Sequence, residues 1–505
     1  VLHFLAFLGF GIWPLAFLSL APLLCALEGR RGAGLRSAAL LGLVFGWVAF
    51  AGGYLWLWRI VDVFLAGSVL LGAALWLVYS AWFALRFVLC SLAFQLLRRR
   101  GWPVAPAVAA PLLAIEWLYP SLFPVHAGAA LLGQPALVQV ADLGGPLLLT
   151  ALVALANAAA VEVWLRLRGR PSHALATAVS ACVAVVLAWG YGALRIPQVE
   201  RRAAAAPVLR VGLVQANLGV LEKRREAVRV HQRYLEESRA LLAESGGAEG
   251  IDLLIWPETV YIRGIQRPLP VSGELIRADL RVPLLFGAAS VRTETGRRLK
   301  YNSALLIGAD GVVRDAYDKN LLIPIAEGLP LGGLSERVAE ALPHVQEFAA
   351  ATGVPPLHLG PWRISTPICY EVIRPEFVRR MMREAKPHLI VSLANDAWFG
   401  DSQEPWLHLA LARLRAIEHR RALVRATNSG VSAVVDPVGR VVAHTGLLTR
   451  EHLRASVPLL QGETLYARLG DWPGWLAVAG LFAAGVVRRR RRGMRPSAPA
   501  GRSPR

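Results

Sequence analysis

From residue 12 to residue 194 the chain is a succession of apolar runs, at 12–27, 37–58, 67–97, 103–119, 144–165 and 174–194. Each approaches or exceeds the roughly 20 residues that a helix needs to cross the hydrocarbon core of a bilayer. This half of the chain is therefore read as a bundle of transmembrane helices. A shorter apolar piece, residues 1–10, lies ahead of a Gly/Trp/Pro break. An apolar start ordinarily reads as a signal peptide, but no basic leader or small-residue cleavage site sets it apart from the spans that follow. It is expected to be an anchor, the tail of a truncated first span.

The loops between the runs set the orientation. Arg30, Arg31 and Arg36 lie in one, Arg98–Arg100 in another, and Arg166, Arg168 and Arg170 in a third. Alternate loops are basic, which assigns them to the cytoplasm. The span at 174–194 then exits on the opposite face, so the polar stretch 203–462 is expected to be extracytoplasmic. A last span within 470–488 returns the chain to a basic cytoplasmic tail, 489–505, of disordered composition.

Composition agrees. Of 505 residues 55% are hydrophobic and the mean hydropathy is +0.44, too apolar for an ordinary soluble enzyme. The net charge of +20 would elsewhere raise nucleic-acid binding, but the densest Arg clusters flank the apolar spans. That placement anchors a membrane protein and argues against a nucleic-acid partner. Three of the four cysteines, Cys25, Cys90 and Cys182, lie in apolar runs, and only Cys369 lies in the polar half. With no CxxC pair and no metal-ligand spacing, neither a disulfide framework nor a metal site is expected.

Within 203–462 the apolar signal shortens. VLRVGLVQA, IDLLIWPE, PLLFGAA, NSALLIGADG, RISTPICYE, HLIVSLAND and ALVRATNSGVSAVVDPVGRVV read as strands, the fourth and last continuing through Gly-containing turns as hairpins. Residues 222–243 place Ala227, Val230, Tyr234, Ser238 and Leu241 on one helical face, and 406–421 do the same with Leu407, Leu411, Leu414 and Ile417. Strands alternating with amphipathic helices define an α/β domain large enough for its own core.

The chemistry centres on ISTPICYEVIRP, where an apolar run ends in a turn presenting Cys369. A lone Cys is usually a small core residue. Upstream, however, Glu258 closes LIWPE and Lys319 lies in YDKNLLIP, each beside a strand-like run. Glu, Lys and Cys are the set that lets a thiol attack a carbonyl without histidine. Glu258 would be the general base and Lys319 would stabilise thiolate and oxyanion, although a surface carboxylate and a solvated lysine are the ordinary readings. Glu327 would orient Lys319, and Tyr370 and Glu371 would shape the nucleophile turn or merely pack it. No G-x-S-x-G, HExxH or P-loop pattern occurs, which counts against serine hydrolases, zincins and NTPases. The stretches TVYIRGIQRPLP and LLIPIAEGLPLGGL are apolar for loops and are expected to form lipid-facing arms or a lid, the alternative being a tight fold-back on the domain.

Taken together, WPE at 256–258, YDKNLLIPIAEGLP at 317–330, ICYE at 368–371, NDAWFGDS at 395–402, the run 413–441 and YARLGDWPGW at 466–475 resemble the apolipoprotein N-acyltransferases, as does the multi-span amino-terminal half. The resemblance implies an α-helical transmembrane bundle, residues 1–197, joined to an αββα sandwich of nitrilase (carbon–nitrogen hydrolase) type. It implies a Glu258–Lys319–Cys369 triad supported by Glu327, Tyr370 and Glu371, no cofactor and no metal. The implied donor is a membrane phospholipid, typically phosphatidylethanolamine, and the acceptor is the α-amine of a diacylglyceryl-modified cysteine on an apolipoprotein. The implied place is a bacterial inner membrane. Two departures from the family pattern fall on substrate contacts: Lys223 is followed by Arg224, and FPVHAGAALLGQ lacks a Trp after its FP pair. A membrane-tethered amidase or nitrilase of the same superfamily is the nearest alternative, and a transporter or lipid-binding scaffold with an inert domain is the alternative of a different class.

Overall fold

The computed structural model describes residues 1–6, 10–58, 68–219, 227–294, 296–323, 327 and 348–493. The amino-terminal half is helical: α1 (Ala21–Gly29), α2 (Leu35–Gly53), α3 (Val69–Arg99), α4 (Val104–Leu118), α5 (Ala141–Leu167) and α6 (Ala174–Ala204). Four of these, α2, α3, α5 and α6, are long and apolar enough to cross a membrane. The expected span 12–27 is broken instead. Pro14 and Pro22 stand at the starts of a 3-10 turn (Trp13–Phe17) and of α1, where a missing N–H costs nothing. Helix α4 is also shorter, with Pro111 inside it.

Packing follows membrane rules. Gly42 and Gly46, one turn apart on α2, face α3 so closely that a Cβ on Gly46 would sit 2.7 Å from Ala84 Cα, the close approach that small residues permit where helices meet in lipid. On the outside, Leu70, Val78, Val186 and Leu187 are each more than 60% exposed, an apolar surface that suits hydrocarbon.

Helix α6 runs on past its apolar part, and only three residues separate its end from β1 (Val208–Gln215). The first sheet is completed by β2 (Leu253–Ile255), β3 (Tyr261–Gln266), β4 (Val271–Ser272), β5 (Leu284–Glu294), β6 (Arg297–Ile307), β7 (Val312–Asp318) and a late strand described below. The second comprises β8 (Leu357–Leu359), β9 (Trp362–Ser365), β10 (Leu389–Ala394), β11 (Leu423–Thr427), β12 (Ala433–Val435) and β13 (Val441–His444), paired in the order β13-β12-β11-β10-β9-β8. Strand β14 (Glu451–Pro458) returns to the first sheet, whose order is β14-β1-β2-β5-β6-β7-β4 with β3 also on β5. Both expected hairpins form, β6 with β7 and β12 with β13.

Apolar side chains such as Leu213, Ile255, Leu285, Val391 and Val424 meet between the sheets. Helix α7 (Ala227–Glu244) covers the outer face of the first sheet, and α8 (Pro375–Ala385) and α9 (Glu404–His419) that of the second. The result is an αββα sandwich. The predicted inner faces hold: Val230, Tyr234, Ser238 and Leu241 of α7 and Leu407, Leu411, Leu414 and Ile417 of α9 are buried. One expectation fails. TVYIRGIQ is not a loop: β3 pairs in parallel with β5, and Val260 and Ile265 are buried, because the edge of β5 supplies partners for its backbone N–H and C=O groups. Of the second arm, Leu321 and Ile323 pack on the core, while residues 324–326 and 328–334 lie outside the described residues, as do Lys223, Arg224 and the tail from 494.

The sandwich is bolted to the bundle. Asp142, 1% exposed at the start of α5, accepts hydrogen bonds from Tyr191 Oη (2.7 Å), Arg195 Nε (2.9 Å) and Arg420 Nε (2.9 Å). Two residues on, Gly144 and Gly145 break α5 with Gly145 at φ +65°, in space that Tyr466 fills. Trp472, which opens α10 (Trp472–Gly493), donates Nε1–H to the carbonyl of Leu143 (2.9 Å). Asp142→Ala leaves the buried Arg420 guanidinium without its carboxylate, a loss of roughly 3–5 kcal/mol for a broken buried pair. The expected outcome is a clearly lower melting temperature of the detergent-solubilised protein and faster proteolysis of the junction, measured against wild type.

Candidate active site

Two strand ends and one mid-strand amide converge on one charge. Strand β2 delivers Trp256, Pro257 and Glu258, and the chain turns at Thr259 (φ +50°). Gly287 on β5 makes room for that turn: its N–H donates to the Pro257 carbonyl (3.0 Å), its carbonyl accepts from Val260 N (2.8 Å), and a Cβ there would lie 2.6 Å from Glu258 Cα. Strand β7 delivers Lys319, which is fully buried. Its Nζ donates to Glu258 Oε1 (3.2 Å) and Glu327 Oε1 (2.8 Å). Asn302 of β6 ties the group together. Its carbonyl accepts from Lys319 N (2.8 Å), and its amide donates to Glu258 (2.7 Å) and Glu327 (2.9 Å).

Burial opposes the Lys319 charge, but Glu258 and Glu327 outweigh it and hold the ammonium above its ordinary range. Two carboxylates thus face one cation in a dry site. Cys369 feels the imbalance: burial pushes its thiol well above the ordinary value, the Glu258 charge adds to this, and Lys319 pulls against it. The shift favours the protonated thiol at neutral pH, so a nucleophilic role for it would require a base to take its hydrogen.

Cys369 follows Ile368, which bridges to Leu393 of β10, and opens the 3-10 turn Cys369–Ile373 with φ +50°. A left-handed residue that is not Gly is strained and persists where its surroundings hold it. Glu371 is one such hold. Its carboxyl accepts from Ile368 N (2.8 Å), Tyr317 Oη (2.7 Å), Asn320 N (2.6 Å) and Leu321 N (3.0 Å), lacing the Cys369 turn to the segment after Lys319. Burial pushes this carboxyl up to about 7 against the pull of those donors. Tyr370 points to the bundle instead: its hydroxyl accepts from Arg374 Nη1 (3.0 Å), its ring lies edge-on to Phe123 at 6.4 Å, and Arg374 also donates to the Ser121 carbonyl (2.9 Å). Beside Tyr370 a cavity of about 450 Å³ has an apolar side, Leu122, Leu321, Leu322 and Phe377, and a polar side, Asn320, Arg374, Glu376 and Arg380.

Glu258, Lys319 and Glu327 are thus joined by hydrogen bonds, Cys369 lies within their field, and Glu371 and Tyr370 brace its turn from opposite sides. Sequence reading missed Asn302. Its one signal is an amide inside the apolar run YNSALLIG, and only the pairing of β6 with β5 and β7 brings it to the cluster.

An αββα sandwich presenting Glu, Lys and Cys from its strand ends is a carbon–nitrogen hydrolase domain, and residues 210–465 match the family described as carbon-nitrogen hydrolase. Among solved structures, a CN-hydrolase superfamily protein from Xanthomonas campestris aligns with 50% of this chain and 91% of its own at 22% identity and a TM-score of 0.37. Residues 1–159 match the apolipoprotein N-acyltransferase N-terminal domain. The apolipoprotein N-acyltransferase of Geobacter metallireducens is 31% identical over 97% of this chain and 94% of its own, and that of Bradyrhizobium diazoefficiens 35% identical over 97% and 93%. The chain belongs to the apolipoprotein N-acyltransferase family, and is a multi-pass membrane acyltransferase.

The raised thiol gives a signed pH dependence. At every pH the thiolate fraction of Cys369 lies below that of a free Cys, whose pKa is about 8.5. Alkylation of the Cys369 peptide by iodoacetamide, followed by mass spectrometry, is expected to climb about tenfold per pH unit and to remain unsaturated at about pH 9. A plateau below pH 8 contradicts the geometry.

Proposed function

We propose that this protein moves an acyl chain from a phospholipid to the α-amine of a diacylglyceryl-cysteine at the amino terminus of an apolipoprotein, through a thioester on Cys369. The observation that carries the reading is the buried Lys319 shared by Glu258 and Glu327 beside the strained Cys369 turn. The cavity at Tyr370 joins an apolar wall of Leu122, Leu321, Leu322 and Phe377 to the polar Arg374, Glu376 and Arg380, a lining that suits an amphipathic lipid donor.

Glu258 accepts the Sγ hydrogen as the sulfur attacks the ester carbonyl carbon. The carbonyl oxygen takes the electron pair and faces the Lys319 ammonium, which Glu327 and Asn302 keep in place. Collapse of the tetrahedral intermediate breaks the C–O bond, Glu258 returns the proton to the departing lysophospholipid oxygen, and the acyl chain stays on sulfur. The acceptor amine then attacks the thioester, Glu258 takes its proton, and collapse returns that proton to the departing sulfur, leaving an amide. Phosphatidylethanolamine is the donor we favour. The basic loops Arg30–Arg36 and Arg98–Arg100 support an extracytoplasmic position for the sandwich at a bacterial inner membrane.

A tethered amidase shares the first half of this scheme and differs in discharging the acyl group to water. Intact-mass analysis of purified protein with phosphatidylethanolamine, then with a diacylated lipopeptide, separates the two. The expected result is a hydroxylamine-sensitive acyl adduct that Cys369→Ala abolishes and that passes to the lipopeptide amine. Discharge to water alone supports the amidase, and absence of an adduct on folded protein sinks both. Glu258→Gln is expected to slow adduct formation by about 10²–10⁴-fold, the usual worth of a general base, and Lys319→Met by about 10²–10³-fold, that of an oxyanion donor.

A further inference from the structure

Behind the Cys369 turn, on the side away from Lys319, lies a second buried set of ionisable groups that the acyl-transfer scheme does not use. Asp396 follows β10, Glu404 and His408 lie one turn apart on α9, and Arg425 is on β11; none is more than 3% exposed. Arg425 Nη2 donates to Asp396 Oδ2 (2.7 Å), which commits Asp396 to its ionised form. Gly430 leaves the space that this carboxylate fills. The ring of His408 spans the gap to the nucleophile, with Nε2 at 3.2 Å from the Cys369 carbonyl oxygen.

The hydrogen count around that ring is constrained. A carbonyl oxygen only accepts, so Nε2 carries a hydrogen. Nδ1 then faces carboxyl oxygens, Asp396 Oδ1 at 3.3 Å and Glu404 Oε1 at 3.7 Å. Asp396 Oδ1, Glu404 Oε2 and His408 Nδ1 have no hydrogen-bond partner among the described residues. A doubly protonated ring would add a second buried cation beside Arg425, and burial together with Arg425 holds His408 below its ordinary range. The ring is neutral, with its one hydrogen on Nε2 facing the Cys369 carbonyl, while burial and the Asp396 charge push the Glu404 carboxyl well above the usual range.

We propose that His408 is a positioning residue for the nucleophile: buried beside Asp396 and Glu404, its Nε2–H holds the Cys369 carbonyl and with it the left-handed turn that aims Sγ. The inference rests on the reading of Cys369 as nucleophile. It adds a second support to the one that Glu371 provides, and it gives a role to the buried Glu404 and His408 at i, i+4 spacing.

The test is single-turnover formation of the Cys369 adduct with phosphatidylethanolamine in detergent micelles, read by intact mass as both rate and final acylated fraction. His408→Leu removes the donor. His408→Gln retains an amide N–H near the place of Nε2. The expected result is an acylation rate about 100-fold lower in His408→Leu, the scale of a misplaced reacting group, with the final fraction and the half-saturating donor concentration unchanged. His408→Gln is expected to recover the rate to within about fivefold of wild type. The proposal is overturned if His408→Leu acylates at the wild-type rate, if His408→Gln falls as far as His408→Leu, or if the variants lose final fraction in place of rate. It is also overturned if wild-type protein carries a stoichiometric metal by elemental analysis, since Asp396, Glu404 and His408 present ligand atoms within 4.8 Å of one another. A wild-type protein that forms no adduct, or a Cys369→Ala protein that does, defeats the nucleophile reading instead, so the two failures are distinguishable.

Discussion

A fully buried ammonium is the constraint from which the site follows. Lys319 has left water entirely, and a charge in that position is tolerated only when opposite charges and hydrogen-bond acceptors replace its hydration. Glu258 and Glu327 do so, and Asn302 fixes both carboxylates and the Lys319 backbone at once. Glu258, Asn302 and Lys319 stand on or just beyond three different strands, and Glu327 returns from the segment after Lys319, so the charge balance holds only in the native pairing of β2, β5, β6 and β7. Fold and site are one arrangement. Burial raises the neighbouring Cys369 thiol above its ordinary range, and the Glu258 charge adds to this while Lys319 opposes it.

The sandwich and the bundle are likewise joined as a single packed body. One hydrophobic cluster runs from Leu24, Phe87 and Val153 in the bundle through Tyr370 and Ile373 of the nucleophile turn to Leu411 and Val435 in the sandwich. Polar contacts overlay it at Asp142–Arg420 and Ser121–Arg374. The turn bearing Cys369 is thus braced by Glu371 toward the Lys319 segment and by Tyr370 toward the membrane-facing loop.

Much of this was legible in the residues because the signals were local. Long apolar runs with alternating Arg-rich loops read as spans, and short apolar runs ending in Glu258, Lys319 and Cys369 read as strands presenting chemistry. What was misread depends on pairing across the chain. Strand β14 alternates exposed Arg454 with apolar residues too weakly to announce a strand, and it exists because it pairs along all eight residues of β1. The stretch after Glu258 looked like a loop seeking lipid until β5 was there to receive it. Proline broke the run at 12–27, where apolar composition alone implied continuity. Asn302, Glu404, His408 and Arg425 are single polar letters in helical or apolar surroundings, and their partners are supplied by topology.

Helix α6 continues from the bundle almost to β1. At 1.5 Å per residue its 31 residues span about 46 Å, against a hydrocarbon core of about 30 Å. The surplus is a post that leads directly into the first strand of the sandwich, while α10, whose apolar stretch Trp472–Ala483 is shorter, follows its last strand. A sandwich joined to helices at both of its ends has little freedom to tilt against the bundle, so the height of the Cys369 turn above the apolar helices is set by the length of α6 and not by the loops around it.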